Sequence, residues 1–346
     1  MTYIIADCGG THCGDPELAH RLVEMATMPI FHRGVRLKGI DAVKFTVRDL
    51  ANEMSNKMAS ASYKIKHSFG DTYGEHRLHM ELGKDTLLAL KAQSFKRGAE
   101  FILTLCSPTL VKTYAPVADK LKVASRDLTN IPLIMALAKT DKHIILSTGM
   151  ADDGESLEEA IKAIERERGI HGNLSVLHCI SQYPAEYDVV NLWRIHDYRT
   201  SYGYPVGYSD HTTGVLAPSI AVAMGAKIIE KHITLDHEMR GTDHAGALDM
   251  DGIRRCIRDI RNTEKMIAMS SVADVKDATR LAREKLGRSL AWARSLKAGA
   301  TIKPNHLTMV SPGNGLSWAD RIKVIGMSLK GDVIRNDIIQ LGELNG

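Results

Sequence analysis

Residues 205–234 read PVGYSDHTTGVLAPSIAVAMGAKIIEKHIT, and three kinds of segment follow one another within them. A β-rich run at 205–211 ends on Ser209-Asp210-His211, a stretch of helical periodicity fills 214–225, and a second β-rich run at 226–234 carries His232 near its end. Apolar runs that end in polar residues and are separated by a helix are the pattern of a βα unit with parallel strands. The same alternation recurs upstream, with strands predicted at 2–8, 42–47, 100–106, 120–125, 143–149 and 174–180. Helical patterns fall between and after them, for example at 15–27, 156–169 and 250–267. Eight units in about 265 residues predict a (β/α)8 TIM barrel, a fold of about 250 residues. A doubly wound open sheet is the competing architecture. It is disfavoured because the first βα turn has Gly9-Gly10 but no G-x-G-x-x-G fingerprint.

Residues 48–85 break the alternation, being polar and poor in strand signals. A connection of that length is usually functional, and after the second strand it emerges on the barrel face where active sites of this fold are built. The barrel is expected to occupy 1–270 and a helical linker 271–286. Beyond it, 287–346 carries short β-like pieces (RSLAWARSL, LTMVS, VIGMSL, DVIRNDIIQL) punctuated by KAG, SPGNG and KGD turns, which predicts a small β-rich domain.

Composition narrows the function classes. With 44% hydrophobic and 25% charged residues in 346, the chain is of the ordinary globular kind. A formal charge of +4 with no basic stripe gives no footprint for nucleic acid. No apolar run approaches the roughly 20 residues that span a bilayer, and MTYIIADCGG lacks a signal-peptide pattern. A cytoplasmic protein without membrane partners is expected. The five cysteines form no C-x-x-C pair and are read as reduced thiols.

If the strands are right, their C-terminal ends must carry the chemistry. Those ends present Asp7, Lys44, Thr104, Lys122 with Ser125, Ser147, His178 leading to Ser181, Ser209, His211 and His232. Loops begin there, so single polar residues are unremarkable, but lysines set into apolar strands are not, since a buried unpaired charge costs several kcal/mol. Lys44 (AVKF) and Lys122 (LKVAS) read either as partners of core carboxylates or as a cationic clamp. Beside so many hydroxyls the clamp would hold phosphate or carboxylate. His211 and His232 lie one βα unit apart, at the ends of neighbouring strands about 4.8 Å from each other. They could share a cation, and imidazole with oxygen ligands favours Mn2+, Zn2+ or a similar ion over Mg2+.

At these residues the chain resembles a known family. IIADCGGTHCGD, DAVKF, SFGDTYGEHR, KVASRDLTN, IILSTGM, LHCISQYP, GYSDHTTG, GAKIIEKHITLD and GTDHAGALD follow in order through nearly all the barrel, and they are similar to the motifs of sialic acid synthases. The tail, with RSLAWARSLKAG and PGNG, is similar to the antifreeze-like (SAF) domain that closes the partner's active site in that family, which implies a homodimer. The resemblance implies condensation of phosphoenolpyruvate with an open-chain acylamino sugar aldehyde and water, giving a nonulosonic acid and phosphate. By motif, His211 and His232 would bind a divalent metal, Mn2+ foremost, with Mg2+ or Co2+ as alternatives. Lys44, Thr104, Lys122, Ser125, Ser147, Ser181 and Ser209 would hold phosphoenolpyruvate, and Tyr183 and Asp243 would meet substrate. Asp127 stands where the family has an acidic residue near the sugar, and Asp7 matches a glutamate that handles the water added at C2.

The chain departs from that pattern mostly on the sugar side. Asp7 is one methylene short of the family glutamate, Thr46 replaces a glutamine, Leu105-Cys106 replaces Pro-Phe, and Arg126 stands where glycine is common. Val310-Ser311 occupies the place of Lys-Arg, and residues 28–40 exceed the usual connection. Two other classes compete with the synthase: a metal-dependent or Schiff-base barrel aldolase using pyruvate, and a non-catalytic sugar-binding homologue.

Overall fold

A computed structural model of the chain describes residues 1–151, 154–170 and 172–345. Two compact units divide it, Met1–Ile267 and Ala268–Gly346. In the first, strands β1 (Tyr3–Asp7), β2 (Ala42–Val47), β3 (Glu100–Leu105), β4 (Lys120–Val123), β5 (His143–Ser147), β6 (Leu174–Cys179), β7 (Val206–Asp210) and β8 (Ile228–His232) close into one barrel. Every neighbouring pair is parallel, and β1 closes the ring by pairing with both β8 and β2. The sheet is therefore not the open, doubly wound one.

These strands are apolar on both faces because both are covered, as parallel sheets require. Their outward residues pack against the helices in one large core that includes Val43, Phe45, Phe101, Leu103 and Leu146. The inward residues Ile5, Ala42, Ile102, Ile145, Leu177 and Ile228 form a separate plug inside the ring. Side chains on a strand alternate with period two, so the next inward position after each plug residue is Asp7, Lys44, Thr104, Ser147, Cys179 and Glu230. The lower barrel is thus apolar and its upper mouth polar.

The surrounding helices are locally well specified. Helix Pro16–Ala26 begins at Asp15, whose carboxylate accepts from Glu17 N at 2.7 Å, with proline in its first turn. Helix Met250–Ile267 buries Ile253, Cys256, Ile257 and Ile260, one face at helical spacing. Residues 48–85 are less open than a long loop, since the short helices Leu50–Glu53, Asn56–Ala59 and Tyr73–His79 form within them. The 28–40 segment forms a hairpin of Ile30–His32 and Val35–Leu37. Among the described residues no helix is long and apolar enough to cross a membrane.

The second unit contains helix Val272–Leu286, which starts at a Ser271 capping box. Its β pieces are β9 (Ser289–Trp292) paired antiparallel with β10 (Leu307–Val310), and β11 (Ser328–Leu329) paired with β12 (Leu344–Asn345). They enclose a core of Leu290, Trp292, Ile302, Leu307, Val324 and Leu329 with three further aliphatic residues.

Candidate active site

Because all eight strands run the same way, their C-terminal ends share one face, and a cavity of about 730 Å³ opens there. Its wall includes every residue singled out above as a site candidate except Asp127 and His178, whose Nε2 bonds to Val190 O instead. Asp7, Lys44 and Thr46 come from the first two strands; Thr104, Lys122 and Ser147 from the next three; Ser209 and His232 from the last two. Ser125, Arg126, Ser181, Tyr183, His211 and Asp243 stand in the turns that follow strands.

Part of the cavity wall gathers buried lysines, carboxylates and hydroxyls. Lys44 and Lys122 are 6% and 2% exposed, so neither ammonium is solvated. Lys44 Nζ lies 2.7 Å from Asp7 Oδ2 and 3.1 Å from Glu230 Oε1, while Lys122 Nζ donates to Ser147 Oγ at 2.7 Å and lies 3.5 Å from Glu230 Oε1. Ser209 Oγ donates to the same Glu230 oxygen at 2.9 Å. Burial pulls the Lys44 pKa down, but Asp7 and then Glu230 outweigh it and the net shift is upward. For Lys122 burial prevails, opposed by Glu230 and reinforced by Lys44, so its net shift is downward. The lysines are thus paired with carboxylates, and both also line the cavity.

Several buried hydroxyls here lack partners, although buried polar groups are nearly always hydrogen-bonded. Thr104 Oγ1 and Ser181 Oγ are two such atoms. A Cβ added to Gly149 would sit 2.5 Å from Ser181 Oγ and 2.8 Å from both Ser125 Oγ and Cys179 Sγ. Ser125 Oγ also accepts from Gly149 N at 3.0 Å. Only glycine permits that convergence, and the cluster with Lys122 and Ser147 offers the donors that a phosphate or carboxylate would take.

Beside this cluster stand the two imidazoles, their ring centroids 5.5 Å apart and their planes inclined by 28°. His211 Nδ1 donates to Ile180 O at 2.7 Å, which leaves Nε2 with its lone pair. His232 Nδ1 is buried without a hydrogen-bond partner and lies 3.4 Å from Asp7 Oδ2. Two neutral imidazoles at this spacing would offer nitrogen ligands that fit a borderline divalent cation. Among the described residues no group of three or more His, Cys, Asp or Glu side chains could hold a metal, so its remaining ligands would be water or substrate. The Tyr183 ring centroid is 4.1 Å from that of His211.

The remaining wall is more variable in character. Arg126 Nη2 donates to Cys106 Sγ at 2.7 Å and its Nε lies 3.4 Å from Asp127 Oδ2. Asp127 thus stands outside the cavity wall, behind Arg126, with burial raising its pKa and Arg126 opposing. Asp243 adopts φ +73°, a left-handed conformation that only a locally over-determined backbone holds in a non-glycine residue. The 48–85 segment adds Arg48, Tyr73, Arg77 and Glu81, and burial pushes the Glu81 pKa up to about 7.

Sequence reasoning passed over Glu230, which joins both lysines and Ser209. The signal was available: counting back two residues from His232 reaches Glu230 on the same inward face. His12, another lining residue, was also missed; it is 3% exposed and burial lowers its pKa to about 4.

The family model described as the NeuB family matches residues 35–272. An N,N'-diacetyllegionaminic acid synthase of Legionella pneumophila is 32% identical, over 94% of this chain and 90% of that protein. An N-acetylneuraminate-9-phosphate synthase of Homo sapiens is 29% identical, over 97% and 91%. The crystal structure of an N-acetylneuraminic acid synthetase from Leptospira borgpetersenii, in complex with citrate, superposes with a TM-score of 0.66 at 27% identity, covering 82% of this chain and 92% of that one.

Proposed function

Because this chain belongs to the NeuB family, we propose that it condenses phosphoenolpyruvate with an open-chain acylamino sugar aldehyde and water, giving a nonulosonic acid and inorganic phosphate. The observation that carries the reading is the juxtaposition, in one cavity, of buried lysines and hydroxyls, two of them unpartnered, with the His211 and His232 imidazoles. Lys44 and Lys122 hold the phosphate and carboxylate, with Thr104, Ser125, Ser147, Ser181 and Ser209 as neutral donors. The arrangement orients C3 of the enol toward the aldehyde carbon. A new C–C bond forms there, water adds at C2, and the C2–O bond to phosphate breaks.

His211 and His232 would hold a divalent cation, Mn2+ before Mg2+ or Co2+, which when bound supplies Lewis acidity to the aldehyde oxygen. Asp7 lies 2.7 Å from Lys44 and 3.4 Å from His232, and those contacts support reading it as the residue that manages the water added at C2. Tyr183, Thr46, Arg126 and Asp243 face the sugar, with Asp127 acting through Arg126. The tail is read as an antifreeze-like domain and the protein as a homodimer, which sedimentation equilibrium tests.

The deciding assay combines phosphoenolpyruvate, Mn2+ and a panel of sugars, with phosphate release and product mass as readouts. Phosphate released in proportion to a nine-carbon acid is expected. Condensation of pyruvate without phosphate would identify an aldolase instead, and binding without turnover a non-catalytic homologue.

A further inference from the structure

Asp210 ends β7 one residue before His211, and Lys231 stands in β8 one residue before His232. Strand alternation turns both away from the cavity. On that outer side lies the core that the strands share with helix Met250–Ile267, whose buried Cys256 thiol feels both charges. Asp210 is 1% and Lys231 4% exposed, and the two residues are register partners across the β7–β8 pair. Lys231 Nζ lies 2.6 Å from Asp210 Oδ2 and also donates to Thr212 O. The other carboxylate oxygen, Oδ1, accepts from Thr212 N at 2.9 Å and from the Tyr208 hydroxyl at 3.1 Å.

His211 is therefore bracketed by two residues, Asp210 and Thr212, that are both bound to the residue preceding His232. We propose that the Asp210–Lys231 pair is a positioning element that sets the separation and aim of His211 and His232, and through them the affinity of this site for a divalent cation. Two well-packed apolar residues would serve stability about as well as a buried ion pair. What the pair adds is direction: one ammonium with fixed acceptors on both sides of one imidazole, carried by the strand that bears the other. Groups that orient metal-binding histidines typically change metal affinity by 10–100-fold when altered.

This inference rests on the reading that His211 and His232 hold the cation, and the test separates the two. Mn2+ dissociation constants are measured by electron paramagnetic resonance on the full chain for wild type, His211→Ala, Asp210→Asn, Lys231→Met and the double variant. Phosphoenolpyruvate affinity without metal is measured by calorimetry on the same proteins. The positioning role predicts roughly 10–100-fold weaker Mn2+ binding in each single variant, little further loss in the double variant because the pair acts as a unit, and unchanged phosphoenolpyruvate affinity. Unchanged Mn2+ affinity in folded Asp210→Asn would overturn it, as would equal loss of both ligands. Wild type that fails to bind Mn2+, or His211→Ala that binds it normally, would overturn the metal reading itself. Should the charge variants not fold, Tyr208→Phe removes one hydrogen bond from Asp210 and keeps the pair; a selective loss of Mn2+ affinity supports the role and an unchanged affinity refutes it.

Discussion

Lys44 Nζ lies 3.1 Å from Glu230 Oε1, although their strands are not neighbours and β1 runs between them. The same oxygen is 3.5 Å from Lys122 Nζ, so one buried carboxylate links the two ammonium groups that the proposed function assigns to phosphoenolpyruvate. Glu230 balances charge in the protein alone, and an arriving anion shares the same cations.

Glu230→Gln should consequently destabilise the protein by roughly 3–5 kcal/mol, the cost of leaving a buried charge without its partner. Phosphoenolpyruvate or inorganic phosphate should raise the melting temperature more in the variant than in wild type, because the ligand then supplies the missing negative charge. Thermal unfolding with and without ligand checks this, and equal shifts would count against it.

Lys122→Ala should raise KM for phosphoenolpyruvate far more than KM for the aldehyde. A hydrogen bond to a charged group contributes about 1.5–3 kcal/mol, which corresponds to roughly 10–150-fold. Steady-state kinetics with each substrate varied in turn decides; similar changes in both constants would remove Lys122 from the anion half-site.

Removal of divalent metal should abolish turnover, and His211→Ala or His232→Ala should lower it by several orders of magnitude, since Lewis-acid stabilisation is worth several kcal/mol. Activity is measured after exhaustive chelation and again after Mn2+ is restored. Full activity in excess chelator would end the metal assignment.

The best acceptor should be a sugar other than plain N-acetylmannosamine, because most of the departures from the family pattern fall at positions that the proposed function assigns to the sugar. Arg126 lines the cavity while tied to Asp127 and Cys106. Its replacement by glycine should reorder acceptors and leave KM for phosphoenolpyruvate unchanged. Specificity constants for N-acetylmannosamine, its 6-phosphate, mannose and a diacetamido-trideoxy hexose test this. An unchanged ranking headed by N-acetylmannosamine would refute it.

Stability should fall as pH drops from about 6.5 toward 4. Burial holds His12, His76 and His143 neutral, each with its pKa lowered to about 4, whereas an unfolded histidine titrates near 6.5. In that window the unfolded chain binds protons that the native protein does not, so unfolding is favoured, by about 1.4 kcal/mol per pH unit for each net proton. Glu81 opposes this: with its pKa raised to about 7, the native state binds one proton more than the unfolded chain as pH falls from 7 toward 4.5. Burial also raises the Asp127 pKa and lowers those of His178 and His244, so the histidines still outnumber the carboxyls and the melting temperature should decline overall. A flat profile between pH 6.5 and 4 would show that these imidazoles are solvated.

Much of the architecture was legible in the chain because the signals are local. Apolar runs such as HIILS, interrupted by segments of helical periodicity, repeat eight times, and a parallel sheet of eight such units has a closed solution. The polar residues at strand ends were legible for the same reason, since β direction alone sends them to one face. Less could be read where conformation depends on distant contacts. Residues 28–40 make a hairpin and 48–85 carry three short helices, although neither segment has a strong period of its own.

Sequence by itself therefore determined the barrel, the face on which chemistry collects and the residue types present there, because strand alternation and chain direction are properties of neighbours along the chain. Only the tertiary structure decided which charges meet. Glu230 reaches Lys44 across an intervening strand, Asp127 is set behind Arg126 and out of the cavity wall, and Asp210 and Lys231 join behind the two histidines. Those distances follow from barrel closure, which brings residues 186 positions apart in the chain, such as Lys44 and Glu230, into hydrogen-bonding range.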